Sequence, residues 1–217
     1  MECSAQSRHF SIVFVLGPPG SGKGTLCKLA IESLKKSSDR YCHLSVGDRL
    51  RELCNIELPC ECEKFDLDMI LDHLRESKLL PADVLIPVLE DEIYSILTGN
   101  DGTITWLIDG FPRNMETALA FEEKIGKPAK VIVLECTREN AQQRFLHRSR
   151  EKNDNGDKFE KRYSEYVENM EAIRKHYGSN IKTICVDGPA DEHLVEFITA
   201  LPSTTTTSKD RKDEEKA

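Results

Sequence analysis

Apolar and polar positions follow two rhythms along this chain. Short runs that are apolar almost throughout alternate with longer stretches in which apolar residues recur every three or four positions. "FSIVFVL" (10–16) is the clearest of the short runs: bounded by Gly and Pro, it predicts a strand buried on both faces. "YCHLS" (41–45) predicts a weaker strand, and "TITWLID" (103–109), "AKVIVLEC" (129–136) and "IKTICVD" (181–187) predict three more. Between them, Leu26, Leu29, Ala30, Ser33 and Leu34 fall on one face of a helix, and Leu85, Val88, Leu89, Ile93 and Ile96 make a second stripe. Phe159, Tyr163, Tyr166, Val167, Met170, Ile173 and Tyr177 make a third, whose spacing marks core aromatics rather than a ligand box. Pro87 falls inside the second stripe and predicts an interruption of the helix that Pro81 opens. The alternation as a whole predicts an α/β fold: a parallel sheet with helices on both faces and right-handed crossovers.

Two regions depart from the alternation. Residues 47–80 carry helical pattern with no strand, and "SREKNDNGD" (149–157) is polar and turn-like. Both are expected to be flaps over a site. "PSTTTTSKDRKDEEKA", from Pro202 onward, is a polar low-complexity tail that has too little apolar surface to bury a core. The expected organisation is an N-terminal extension (1–9), one domain (10–201) and a disordered tail (202–217).

Composition narrows the function. A chain of 217 residues, 39% hydrophobic and 31% charged, is expected to be one soluble globular domain. Its net charge of −8 argues against a general nucleic-acid binder but leaves room for a small anion held by a local arginine cluster. The aliphatic runs are strand-sized, so no membrane span is expected, and "MECSAQSRHF" has no secretory h-region. The eight cysteines are scattered, which suits free thiols and a cytoplasmic or nuclear location. Cys54, Cys60 and Cys62 in "CNIELPCEC" suggest metal ligands at first sight; without a second ligand pair at usable spacing they read as ordinary thiols.

The chemistry is concentrated in "GPPGSGKGT". Gly17, four residues, Gly22 and Lys23 satisfy the first part of a phosphate-binding loop, placed between a strand and a helix as that loop requires. Gly17, Pro18, Pro19, Gly20, Ser21, Gly22, Lys23, Gly24 and Thr25 are therefore the expected phosphate-binding residues, which the resemblance drawn below assigns to ATP. Backbone N–H groups and a helix N-terminus would face the phosphates, and Lys23 would carry the full charge. The hydroxyl comes at Thr25 rather than directly after the lysine, so magnesium is expected to be held through phosphate oxygens and water. Asp109, at the end of its strand, is its expected outer partner.

Arginines supply the complementary charge. Arg51 lies in "LSVGDRLREL" and Arg113 in "WLIDGFPRN", both just past strand ends, where ligands of parallel sheets bind. Arg144 and Arg148 are one helical turn apart, Arg150 is in the polar segment, and Arg162 lies beyond it. Several guanidinium groups suit the equatorial oxygens of a transferring phosphoryl group.

Taken in order, "GPPGSGKGT", "LSVGDRLRE", "LIDGFPRN" and the arginines up to "NDNGDKFEKR" resemble the nucleoside monophosphate (NMP) kinases, adenylate kinase and UMP/CMP kinase, from about residue 10 to about 199. The resemblance implies a P-loop core with a five-stranded parallel sheet, a helical NMP-binding insertion (about 46–80) and a short lid (about 148–157). It implies ATP and a nucleoside monophosphate as partners, Mg2+ with the ATP, and a chain expected to be a monomer. Lys23, Arg113, Arg148 and Arg162 would be catalytic, Arg144 would help bind ATP, and Asp154 would tie Arg150 and its neighbours together on closure. Val46, Arg51, Lys78, Leu80, Gly110, Arg113, Asn114 and Thr117 would line the acceptor site. The lid is short, with Asn153-Asp154 as its acidic pair, and residues 52–76 have no one-to-one match in the family. Lys78 and Asn114 lean toward a pyrimidine acceptor, UMP or CMP. The alternatives are an adenylate kinase and a nucleotide-binding protein of the same fold with little transfer activity.

Overall fold

The computed structural model describes residues 10–35, 39–55, 64–96, 104–148 and 154–202. The expected N-terminal extension, the tail from residue 203, Cys60, Cys62, Arg150 and Asn153 lie outside these residues. Five strands are present: β1 (Phe10–Leu16), β2 (Arg40–Ser45), β3 (Ile104–Asp109), β4 (Lys130–Glu135) and β5 (Ile181–Cys185). All neighbours pair in parallel, in the order β2-β3-β1-β4-β5. The five expected strands are thus all found, with ends that differ by at most two residues.

Alternation along the strands divides the core in two. Ile12, Phe14, Leu16, Trp106 and Ile108 face one layer of helices, while Val13, Val15, Leu107, Ile132 and Leu134 face the other. The first layer comprises α2 (Val46–Asn55), α3 (Leu67–Glu76), α4 (Ala82–Ser95), α5 (Met115–Lys124) and the long α7 (Gly156–Tyr177). Phe14 packs edge-on against Phe111, Phe121 and Tyr177, which locks the central strand to this layer. The second layer is α1 (Lys23–Leu34) and α8 (Leu194–Thr199), with Leu26, Cys27, Ala30 and Phe197 buried. α6 (Arg138–His147) joins α7 through a smaller cluster of Ala141, Phe145 and Phe159.

Several expectations are corrected. The buried stripe of α1 uses Cys27, whereas Ser33 is exposed. Val167 is 55% exposed, because α7 turns Phe159, Met170, Ile173 and Tyr177 inward and leaves Val167 on its solvent side. α4 runs unbroken through Pro87, held by Leu85, Ile86, Val88 and Leu89, all buried around the proline. That burial outweighs the lost hydrogen bond. The lid segment ends sooner than expected: Asn155 caps α7 by accepting the Lys158 N–H at 2.9 Å, so residues 156–157 are already helical.

The register brings the chemistry to one edge. β1, β2 and β3 end at Leu16, Ser45 and Asp109, with Val15 and Ser45 both paired to Asp109. The order of connections reverses beside β1, which opens a crevice beyond the carboxyl ends of the strands.

Candidate active site

A cavity of about 360 Å³ fills that crevice. Its floor is the loop from Gly17 to Lys23. Gly20 and Gly22 both adopt φ of +86°, which turns the chain tightly into α1. No side chain caps α1, so its N-terminal N–H groups remain available to an anion. Lys23 Nζ donates to Gly17 O (2.8 Å), Pro18 O (2.9 Å) and Ser21 Oγ (3.1 Å), so the loop folds around its own ammonium. Burial lowers the Lys23 pKa to about 8; Asp109 opposes that shift, while Arg113, Arg162 and Arg148 add to it. Pro19, Gly24 and Thr25 also line the cavity, and Pro18 contributes through its carbonyl.

Arginines from four elements and loops form the rest of the wall: Arg51, Arg113, Arg144, Arg148 and Arg162. Arg113 donates from Nε to Gly110 O at 3.1 Å, and burial presses against its charge while Glu165 and Asp109 support it. Arg51 pairs with Asp48, one helical turn away, at 2.5 Å. Arg148 lies 4.1 Å over the Phe145 ring and donates to Asp154 Oδ2 at 3.3 Å; the Asp154 side chain is 1% exposed. Asp154 is thus joined to one arginine of the expected lid set. Arg144 donates to Val186 O, Asp187 O and Gly188 O at 2.6–2.8 Å. Those bonds use three of its N–H groups to hold the loop after β5.

A second cavity, of about 70 Å³, opens from the first. Gly47, Arg51, Gly110, Arg113 and Arg162 line both. Val46, Leu50, Leu80, Leu85 and Phe111 make its apolar walls, with Asn114, Thr117 and Lys78 as polar groups. Asn114 caps α5: its Oδ1 accepts from Thr117 N (2.9 Å) and Thr117 Oγ1 (2.7 Å). Its acceptor is spent locally, and only its Nδ2 can serve a ligand; Thr117, buried, is occupied by the same cap. Lys78 sits at the rim, exposed and ion-paired with Glu76, a contact that raises its pKa.

Three residues of the site were absent from the sequence expectations. His43 donates from Nε2 to Asp109 Oδ2 at 2.6 Å, tying β2 to β3 beneath the loop. One carboxylate oxygen of Asp109 is fixed in this way, and the other is left for the cavity. That oxygen can accept from an outer water of Mg2+, so the residue fits the expected metal. His43 stands alone in a strand pattern and had no signal of its own. Glu165, half-buried on α7, faces the arginine cluster; burial raises its carboxyl pKa, with Arg113 and Arg162 opposing. His193 Nε2 is buried at the far end of the large cavity with no hydrogen-bond partner among the described residues.

The chain matches the family model described as "Adenylate kinase" over residues 15–182. It is similar to "UMP-CMP kinase 3" of Oryza sativa subsp. japonica, 37% identical over 183 residues that cover 83% of this chain and 79% of that protein. It is also similar to "Uridylate kinase" of Schizosaccharomyces pombe (29% over 189 residues; 86% and 93%) and to "Adenylate kinase isoenzyme 1" of Cyprinus carpio (31% over 195; 88% and 93%). No helix of the described residues is long and apolar enough to cross a membrane. The phosphate loop, the paired cavities and these similarities lead to one assignment: the chain belongs to the adenylate kinase family and is a nucleoside monophosphate kinase.

Proposed function

We propose that this kinase transfers the γ-phosphoryl group of ATP to UMP or CMP. The observation that carries the reading is the junction of the two cavities at Arg51, Arg113 and Arg162. A donor in the large cavity and an acceptor in the small one would bring their phosphates together at that junction. The loop and Lys23 would hold the ATP phosphates, and Arg51 and Arg113 would hold the acceptor phosphate. An acceptor oxygen attacks the γ-phosphorus, and the bond to the β–γ bridging oxygen breaks as ADP leaves. The nucleophile is already an anion, so positioning and charge do the work and no general base is required. Arg148 and Arg162 would gather around the equatorial oxygens. Bound Mg2+ would neutralise charge on the β and γ oxygens, with Asp109 holding its outer water.

The preference for pyrimidine rests on the shape and polarity of the small cavity. Val46 offers no hydroxyl and Thr117 is committed to its cap, while Asn114 Nδ2 and Lys78 Nζ are donors in a lining that also holds His73 and Ser77. Donors can meet the ring carbonyl that uracil and cytosine share, whereas adenine offers only ring nitrogens as acceptors. Two of the relatives carry the matching names "UMP-CMP kinase 3" and "Uridylate kinase". The test is kcat/KM for UMP, CMP, dCMP and AMP in a coupled assay of ADP formation. UMP or CMP should be best and should suffer from Lys78→Ala. AMP as the best acceptor, with Lys78→Ala indifferent, would assign the chain as an adenylate kinase, and no turnover with any acceptor would leave a nucleotide-binding protein.

A further inference from the structure

Behind the phosphate loop, side chains from three separate elements converge: Cys27 on α1, His43 on β2 and Asp109 at the end of β3. One ligand atom from each lies within 4.8 Å of the other two. Cys27 is fully buried, and the side chains of His43 and Asp109 are 11% and 10% exposed. We propose that this cluster is a binding site for a borderline-soft divalent cation, Zn2+ foremost, separate from the Mg2+ that accompanies ATP, and that its occupation inhibits phosphoryl transfer.

The donor set carries the choice of ion. A thiolate, an imidazole and a carboxylate are ligands that zinc takes, whereas magnesium and calcium favour all-oxygen sets. Three protein ligands leave a fourth tetrahedral position for water. Zinc bonds of about 2.0–2.3 Å place tetrahedral ligand atoms roughly 3.2–3.8 Å apart. Closing the cluster from 4.8 Å therefore asks for rotamer shifts of the order of 1 Å. His43 Nε2 and Asp109 Oδ2, at 2.6 Å, would exchange their mutual hydrogen bond for two metal bonds.

Charge favours it as well. Thiolate and carboxylate together cancel a divalent cation, so the occupied site is neutral, which a buried location beside Lys23 requires. Burial and Asp109 raise the Cys27 thiol pKa well above its ordinary value, with Lys23 opposing, so the proton stays on sulfur until a metal displaces it. Cys27 must release its proton to bind as the thiolate. Inhibition follows because the ion withdraws Asp109, whose charge supports that of Lys23.

The inhibitory half rests on the kinase reading; the binding half does not. Co2+ serves as the spectroscopic probe, titrated into the chelator-treated full chain. One equivalent should give a thiolate-to-cobalt charge-transfer band that Zn2+ abolishes by displacement. The band should vanish in Cys27→Ala, and affinity should drop at least about tenfold in His43→Gln, each variant checked for an intact melting transition. In kinase assays at saturating Mg·ATP, Zn2+ should inhibit over the same concentration range as it binds, and Cys27→Ala should resist. No band in the native chain, a band that survives Cys27→Ala, or unchanged affinity in His43→Gln would overturn the site. A proper band with transfer untouched by zinc would overturn the inhibitory half.

Discussion

Gly20 and Gly22 offer a matched pair of perturbations. Both adopt φ of +86°, so an alanine at either pays the left-handed strain of about 1–2 kcal/mol. They differ in what the new methyl group meets. At Gly22 nothing lies within 4 Å. At Gly20 the methyl carbon would stand 2.0 Å from the carbonyl oxygen of Ala141, 2.9 Å from its carbon and 3.1 Å from the Phe145 nitrogen. These are backbone atoms of α6, so no side chain can swing away. The loop or the helix must retreat by roughly 1 Å, an overpacking that typically costs a further 1–3 kcal/mol.

For a chain of this length each kcal/mol lowers Tm by roughly 2–4 °C. Gly22→Ala should therefore lose about 2–8 °C and Gly20→Ala about 4–20 °C. The assay is thermal and urea unfolding by circular dichroism without nucleotide, since a bound ligand would stabilise the native state unequally. Ala141→Gly should not rescue Gly20→Ala, because it removes a methyl group and leaves the offending carbonyl in place. Equal losses for the two alanine variants, or rescue by Ala141→Gly, would refute the close approach of loop and helix.

Lys23→Ala should keep its fold and lose at least about a hundredfold in turnover, the scale of a charge removed from developing negative oxygens; near-native turnover would remove the loop from the mechanism. With the Lys23 pKa lowered to about 8, more than half of the free enzyme carries it neutral at pH 8.5, and ATP binding must recharge it. Calorimetry in paired buffers should then show proton uptake on ATP binding at pH 8.5 that Lys23→Ala abolishes. Arg113→Ala should weaken NMP binding far more than ATP binding, and Lys23→Ala should do the reverse; equal losses would dissolve that division. Glu165→Gln removes a carboxylate that competes with the acceptor phosphate for Arg113 and Arg162, so the KM for NMP should fall by roughly threefold or more with kcat little changed. A rise in KM would show that Glu165 orients the arginines instead.

Much of the fold was legible because β1, β3 and β4 are buried on both faces and so read as mostly apolar runs. β1 ends at Leu16 as expected, because Gly17 and Pro18 close a run that is apolar at every position but Ser11. The misreadings arose where one residue serves a neighbour rather than its own element's pattern. Cys27 counts as a weak hydrophobe in a sequence, yet it fills the interior face of α1, while Ser33 at the expected register stays in water. Pro87 reads as a breaker, but burial of four flanking aliphatic residues holds the helix together. The phosphate loop was legible because its chemistry is local and contiguous. His43 was not, because its meaning lies in Asp109, sixty-six residues away.

The same distinction bears on which acceptor base is read. A residue that faces a ligand by family position need not be free to bind it. In the proposed acceptor site Asn114 and Thr117 would face the base, yet three hydrogen bonds between them close the N-terminus of α5. That closure leaves one donor fixed at Asn114 Nδ2, beside a mobile one at Lys78, which must leave Glu76 to reach the cavity. An exposed ion pair of that kind is worth little, about 0–1 kcal/mol, so a pyrimidine carbonyl can displace it at small cost. Discrimination then comes from filling a small apolar cavity with a ring whose acceptors meet those donors, and from the penalty of burying adenine groups without partners. On this account a change at Asn114 has two separable effects. Asn114→Asp keeps the cap and loses the donor, so it should keep Tm and lower kcat/KM for UMP. Asn114→Ala loses both, and an equal drop in Tm for the two variants would show that the cap, rather than the donor, is what this residue supplies.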